Sequence, residues 1–205
     1  MKRDGMLYTV LFTFIICVVF VFFLALANEL TKDRVAANSR LSERSAILAA
    51  LGIKNSDPQE VDALYDTQVT EVDTEQGLLY KATVDAQVRY AAKVAGPGLW
   101  GTIRAILAVD QSVERIEGFQ IVSHNETPGL GGRIDEAWFQ TQFRGEKIGP
   151  QGIVVRQGSG KGDPDPDNSQ VDAVTGASRT SQSIQEIVNK EITIFKTLRD
   201  KGGLQ

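Results

Sequence analysis

Cysteine and histidine, which hold most protein-bound transition metals, are almost absent from this chain of 205 residues, which has one of each. Cys17 lies inside an apolar run, so the rest of the chain cannot form an internal disulfide or hold zinc or an iron–sulfur cluster through thiolates. His124 is not part of an HExxH pattern, which argues against a zinc hydrolase. We therefore expect no metal site.

An excess of positive charge is also missing, because 22 Lys and Arg residues face 26 Asp and Glu residues, for a formal net charge of −4. There is no basic stripe, so we expect no nucleic-acid partner. A G-x-G-x-x-G fingerprint is absent too. The run from Gly158 to Gln170 contains Gly160-Lys161 and several aspartates, but it lacks both the P-loop spacing and the calcium-loop frame. It predicts an exposed loop.

The most apolar part of the chain is residues 6–27, which contain no charged side chain. This matches a single transmembrane helix, which needs about 20 apolar residues. Lys2 and Arg3 precede it and favour a cytoplasmic N-terminus, so the main domain is expected on the extracytoplasmic (periplasmic) side of the inner membrane. A cleaved signal peptide ending at Ala25-Leu26-Ala27 is the alternative, although the run exceeds the roughly 7–15 residues of a signal core.

Hydrophobic periodicity predicts one domain after this anchor. A helix is expected from Asn28 to Leu51, with Gly52 as its stop. Strands are expected at 78–84, 87–94, 103–109, 116–122 and 152–156, a short helix at 137–143, and a long amphipathic helix from about Ser178 to Leu198. The fold class is therefore α+β, with a mainly antiparallel sheet and flanking helices. The predicted parts are an anchor (1–27), a helical connector (28–60) and a domain (61–205).

The run from Asp172 to Ser178, DAVTGAS, places a hydroxyl two residues after a glycine, where the long helical pattern begins. The first turn of a helix offers unpaired N–H groups and the positive end of the macrodipole, which stabilise a phosphate. From spacing alone, however, Thr175 or Ser178 is better interpreted as a helix cap.

A resemblance changes this interpretation. The run resembles the flavinylation motif Asp-Gly/Ala-x-Ser/Thr-Gly-Ala-Thr of two FMN-binding proteins, the C subunit of the sodium-translocating NADH:quinone reductase and the G subunit of the Rnf complex. Gly96–Gly101 (GPGLWG) and Ser123–Gly132 (SHNETPGLGG) are similar to further segments of that family, in the same order. The resemblance implies that a flavin transferase joins the FMN phosphate to Ser178, with Thr180 as the alternative acceptor. Its recognition context would be Asp172, Thr175, Gly176 and Ala177. The chain departs from the family in having Ser where Thr is usual, but a primary hydroxyl forms the same phosphoester.

The other candidate cofactor-binding residues lie in the two glycine-rich segments. They are Glu126, Thr127, Gly129, Leu130, Gly131, Leu99 and Trp100. For Glu126, a structural bond to loop amides is an equal alternative to a flavin contact. For Trp100, core packing is at least as good an interpretation, and for His124 a structural role is favoured. No catalytic residue and no metal ligand are predicted.

The resemblance implies a membrane-anchored subunit that carries covalent FMN and relays electrons within an ion-translocating NADH:quinone or ferredoxin:NAD oxidoreductase complex. Its partners would be the other membrane subunits and the flavin transferase, and the isolated chain would have no complete catalytic activity. Two alternatives stay open: a non-redox membrane-tethered assembly or binding subunit, and a free-standing extracytoplasmic flavin reductase. The residues do not decide between quinone reductase and Rnf membership, nor do they give the coupling ion.

Overall fold

The computed structural model describes residues 5–54 and 57–204, and it divides into two compact units, Met1–Leu41 and Ser42–Gln205. Lys2 and Arg3, on which the predicted cytoplasmic N-terminus depends, lie outside the described residues. The predicted anchor and the predicted connector helix are one helix, α1, from Met6 to Leu51. This helix is long and apolar enough to cross a membrane.

The end of α1 is set by Gly52, as the sequence predicts. The N–H of Ile53 donates to the carbonyl of Leu48 at 2.8 Å, and the N–H of Gly52 donates to that of Ala49 at 3.1 Å. This is a Schellman motif, which requires a left-handed residue after the helix. Gly52 supplies it, with φ of +84°.

A five-stranded antiparallel sheet follows. The short helix α2 (Val61–Gln68) precedes β1 (Thr70–Thr74), β2 (Gly77–Val84), β3 (Gln87–Pro97), β4 (Thr102–Asp110) and β5 (Ile116–Ser123), which lie side by side in chain order. The four predicted strands between residues 78 and 122 are confirmed. Sequence analysis missed α2 and β1. The strand β1 is an exposed edge strand with the sequence TEVDT, so its side chains lack the apolar alternation that marks a half-buried strand.

The rest of the chain packs against this sheet. It comprises a 3₁₀ helix (Gly131–Asp135), α3 (Ala137–Thr141), the parallel pair β6 (Val154–Arg156) and β7 (Gln170–Asp172), and α4 (Ser178–Asp200). The predicted loop therefore ends in a strand at Gln170, which sequence analysis missed because three residues are too short to show periodicity. The mainly antiparallel α+β fold is confirmed.

The core holds α4 and α3 to the sheet. The buried face of α4 carries Ile184, Ile187, Val188, Ile192, Phe195 and Leu198. The helix lies so close to β3 that a Cβ on Gly96 would stand 2.5 Å from Cγ1 of Ile187. The α3 residue Phe139 and the following Phe143 are fully buried, and the ring of Phe143 lies 4.7 Å from that of Phe119 in β5. The ends of β3, β5 and α4 are thereby fixed relative to one another.

Candidate functional site

Ser178 is the first residue of α4, and its side chain is exposed. The N-cap position is Ala177, and no side-chain hydrogen bond caps the helix. Thr175 and Ser178 are therefore not capping residues. Across the described residues, no hydrogen bond engages the Ser178 hydroxyl. This group is free to react.

The chain before Ser178 forms a tight turn that explains the Thr-Gly-Ala sequence. The N–H of Ala177 donates to the carbonyl of Val174 at 3.0 Å. Gly176, the third residue of this turn, has φ of +78°, which favours glycine. The N–H of Val174 donates to the buried Ser181 hydroxyl at 3.1 Å, which ties the turn to α4. The turn thereby presents Ser178 at a defined place on the surface.

Ser178 borders a cleft of about 410 Å³ that unites the three sequence segments. Its lining residues are Leu99, Trp100, Glu126, Thr127, Leu130, Gly131, Gly176, Ala177, Ser178, Arg179 and Thr180. Leu99, Trp100 and Leu130 are large apolar residues that remain 54%, 67% and 48% exposed. Of the predicted site residues, only Asp172, Thr175 and Gly129 lie outside this lining. Arg179 also lines the cleft but was not predicted. Its position next to Ser178 in the sequence could have indicated it.

A second cleft, also of about 410 Å³, borders Ser178 and is formed with residues of β6 and α4. Thr175 and Gly176 line it together with polar side chains that include Gln157, Gln182 and Gln185. The large exposed apolar side chains, Leu99, Trp100 and Leu130, lie in the first cleft. Ser178 thus stands between an apolar cleft and a polar one.

Glu126 connects the segments of the first cleft. The residue is only 4% exposed. Oε1 accepts hydrogen bonds from the N–H groups of Leu99 at 2.8 Å and Trp100 at 3.1 Å. Oε2 accepts the hydroxyl of Thr180 at 2.5 Å. The sequence left two interpretations of Glu126, a structural bond to loop amides and a flavin contact. These contacts match the structural one, and the amides belong to the Gly96–Gly101 segment.

Two glycines of the motif segments make room for this carboxylate. A Cβ on Gly98 would stand 2.5 Å from Oε1 of Glu126, and a Cβ on Gly131 would stand 2.7 Å from Oε2. Both distances are too short for a side chain. The glycines at these two positions allow both loops to close over Glu126.

Thr180, the alternative acceptor, is 1% exposed. Its hydroxyl is engaged by the Glu126 carboxylate. An incoming phosphate would have to break that bond and enter the protein interior. Of the two candidate acceptors, Ser178 is thus exposed and Thr180 is buried.

His124 and Thr127 shape the loop that carries Glu126. The N–H of Glu126 donates to Nδ1 of His124 at 2.9 Å, so Nε2 carries the proton and donates to Asp135 at 2.8 Å. The carbonyl of Thr127 accepts the N–H groups of Leu130 and Gly132 at 3.1 and 2.9 Å. His124 is thus a structural residue. Within residues 5–54 and 57–204, no cluster of side chains could hold a metal ion.

Asp172 faces away from the apolar cleft. It is 7% exposed, and its Oδ2 accepts the hydroxyl of Ser159 at 2.9 Å and the N–H of Gly160 at 3.0 Å. The side chain of Gln142 bonds both the N–H and the carbonyl of Asp172, at 2.7 and 3.0 Å. Asp172 therefore holds the Gly158–Gly160 loop against residues 172–178, a contact that the sequence does not predict.

Comparison with known proteins decides what this cleft belongs to. Residues 98–193 match the family model described as the FMN-binding domain. The match begins within the Gly96–Gly101 segment and ends inside α4, so it includes Glu126, Ser178 and Thr180.

Relatives that cover most of the chain agree with this match. The chain is 27% identical to the C subunit of the Na(+)-translocating NADH-quinone reductase of Pseudomonas aeruginosa, over 92% of either chain. It is 29% identical to the G subunit of the ion-translocating oxidoreductase complex of Cereibacter sphaeroides, over 84% of this chain and 76% of that one. The resemblance to these two subunit families is confirmed.

The fold matches that of a solved relative. The crystal structure of the C subunit of the Na(+)-translocating NADH-quinone reductase from Parabacteroides distasonis superposes with a TM-score of 0.61 and 24% identity. The superposition covers 80% of this chain and 91% of that one.

Proposed function

We propose that this protein carries FMN as a phosphoester on Ser178 and relays electrons within a membrane-bound, ion-translocating oxidoreductase complex. One observation carries the proposal. The Ser178 hydroxyl is exposed and unbonded on the first turn of a long helix, at the edge of a cleft lined by three exposed apolar side chains. This arrangement suits a flavin that is joined through its phosphate and covered on its ring.

The start of α4 favours a phosphate at this position. Its first N–H groups have no partners within the helix, and the macrodipole is positive there. A phosphoester on Ser178 would be stabilised by both effects, as anions are at other helix N-termini. Ester formation breaks the O–H bond of Ser178 and a P–O bond of the flavin phosphate donor used by the transferase, and it joins Oγ of Ser178 to the phosphorus. The donor's leaving group departs, and the product has the mass of the protein plus FMN less one water. The exposure of Ser178 leaves room for a flavin transferase.

The remaining residues of the cleft bind and orient. Leu99, Trp100 and Leu130 offer apolar surface to a flat ring and exclude water from one of its faces. Arg179, next to the acceptor, adds a positive charge beside the phosphate. The bound flavin supplies the redox chemistry, while the protein fixes its position and surroundings.

The surroundings of the domain follow from α1 and from the relatives. The helix is long and apolar enough to anchor the chain in a membrane at about residues 6–27. We infer that residues 28–60 connect this anchor to an extracytoplasmic domain formed by residues 61–205. Both named relatives are subunits of larger complexes. Neighbouring membrane subunits are thus the proposed electron donors and acceptors, and translocation of sodium or protons would occur in them.

Coexpression with a flavin transferase tests the attachment. The full chain, purified in mild detergent and denatured, is expected to keep flavin fluorescence on a gel. Ser178→Ala is expected to lose this fluorescence, because the other α4 hydroxyl that lines the cleft, that of Thr180, is buried. Ser183→Ala, a matched serine substitution on the same helix, is expected to keep it.

Two results would contradict the proposal. Fluorescence retained by Ser178→Ala would move the attachment to another residue. A dark wild-type chain, with the transferase active on a control substrate, would favour the assembly subunit without covalent flavin.

A further inference from the structure

The two sides of the apolar cleft belong to distant parts of the chain and meet at one side chain. Leu99 and Trp100 lie in the turn between β3 and β4, whereas Ser178 and Thr180 lie in α4. Glu126 bonds the turn through Oε1 and the helix through Oε2. It is therefore the polar link between the residue that would carry the flavin and the residues that would cover it.

The turn at residues 98–101 depends on this link. Its own backbone bond runs from the N–H of Gly98 to the carbonyl of Gly101, at 2.7 Å. Leu99 and Trp100 are 54% and 67% exposed, so burial of these residues contributes little to holding the turn in place. Their N–H groups go to Glu126. Loss of that carboxylate would leave two amide donors without their acceptor and the turn without its support.

We propose that Glu126 is a positioning residue for the flavin. It holds the Leu99–Trp100 turn at a fixed place relative to α4, so that Trp100 packs against the ring carried by Ser178. This proposal rests on the proposed attachment at Ser178. Glu126 acts through its hydrogen bonds to the turn and to Thr180.

The geometry offers a conservative variant that should preserve this role. In Glu126→Gln, the amide oxygen can accept both N–H groups of the turn, and the amide NH₂ can donate to the Thr180 hydroxyl, which has free lone pairs. The two bonds to the turn are then kept, and the link to Thr180 is kept with its direction reversed, while the charge is removed. In Glu126→Ala, all three are lost. A positioning role therefore predicts that Gln rescues what Ala destroys.

The first readout needs no flavin. In the full chain with Trp138→Phe, Trp100 is the remaining tryptophan, and its fluorescence anisotropy reports how firmly the turn is held. We expect Glu126→Ala to lower the anisotropy and Glu126→Gln to leave it unchanged. This arm tests the support of the turn even if no flavin is attached.

The second readout uses the chain loaded with FMN by the transferase. A tryptophan packed on a flavin quenches flavin fluorescence, so Trp100→Leu is expected to abolish that quenching. Glu126→Ala is expected to reproduce this loss, and Glu126→Gln to remain as quenched as the wild type. If Glu126→Ala does not fold, Thr180→Val replaces it. That variant keeps the bonds to the turn but cuts the link to α4, and partial loss of quenching is expected.

Each failure has a distinct meaning. If Glu126→Ala or Thr180→Val stays as quenched as the wild type while Trp100→Leu brightens, Glu126 does not position the turn. If Trp100→Leu stays quenched, Trp100 does not pack on the ring, and the proposal is overturned as well. If the wild-type chain takes up no flavin, the proposed attachment at Ser178 is wrong. The anisotropy measurement then still tests the turn, and an unchanged value in Glu126→Ala would show that Glu126 does not hold it.

Discussion

Replacing Thr180 by valine should destabilise the domain although the two side chains have nearly the same shape. The Thr180 hydroxyl donates to Oε2 of Glu126 at 2.5 Å, and both residues are almost wholly buried, at 1% and 4% exposure. Valine would leave this carboxylate oxygen without its donor. A hydrogen bond to a charged group contributes about 1.5–3 kcal/mol, and a buried acceptor left unpaired costs a similar amount. We therefore expect the free energy of unfolding to fall by about 1.5–3 kcal/mol.

Urea unfolding of the full chain in mild detergent, followed by tryptophan fluorescence, measures this loss. Thr193→Val is the matched control, because Thr193 lies exposed on the same helix and its hydroxyl donates only to the carbonyl of Asn189, at 2.9 Å. Its effect should stay within about 0.5 kcal/mol, as is usual for surface substitutions. Equal effects of the two substitutions would refute the role given to the Thr180–Glu126 bond.

Two further predictions concern the free energy of unfolding. Gly98→Ala should lower it by about 1–3 kcal/mol, because the added Cβ meets Oε1 of Glu126 and overpacks the turn; an unchanged urea midpoint would show that the turn can shift. Burial raises the pKa of Glu146 from its ordinary 4.5 to about 7, so the folded state holds this proton more tightly than the unfolded one. The contribution of Glu146 to the free energy of unfolding is therefore largest below pH 4.5 and is lost as the pH rises to about 7. This contribution is at most roughly 3 kcal/mol. Glu146→Gln should remove this component, so the stability difference between pH 5 and pH 8 should be smaller in the variant; an equal difference in the two proteins would contradict the assignment.

Local patterns predicted most of the fold. The end of α1 at Gly52 and the four strands from β2 to β5 follow from a glycine stop and from apolar runs of ordinary length. The strands β1 and β7 escaped prediction for physical reasons. The first is an exposed edge with one apolar residue, and the second is a three-residue strand that exists because β6 lies beside it.

The site could be predicted only in part. Resemblance marked the three segments, and the cleft brings them together. The partners of Glu126 could not be found, because they lie 27, 26 and 54 residues away in the chain. Asp172 likewise bonds to Ser159 and Gly160 across a loop whose path the sequence does not reveal. Such contacts depend on tertiary structure, whereas periodicity reports only on neighbours.

The central claim is that the flavin is attached at Ser178, and peptide mapping tests it most directly. Arg179 lies between Ser178 and Thr180, so trypsin separates the two candidate acceptors onto different peptides, 162–179 and 180–190. After coexpression with the transferase, we expect peptide 162–179 to gain one FMN less one water, with fragmentation placing the gain on Ser178. The same gain on peptide 180–190, or its absence from both, would contradict attachment at Ser178.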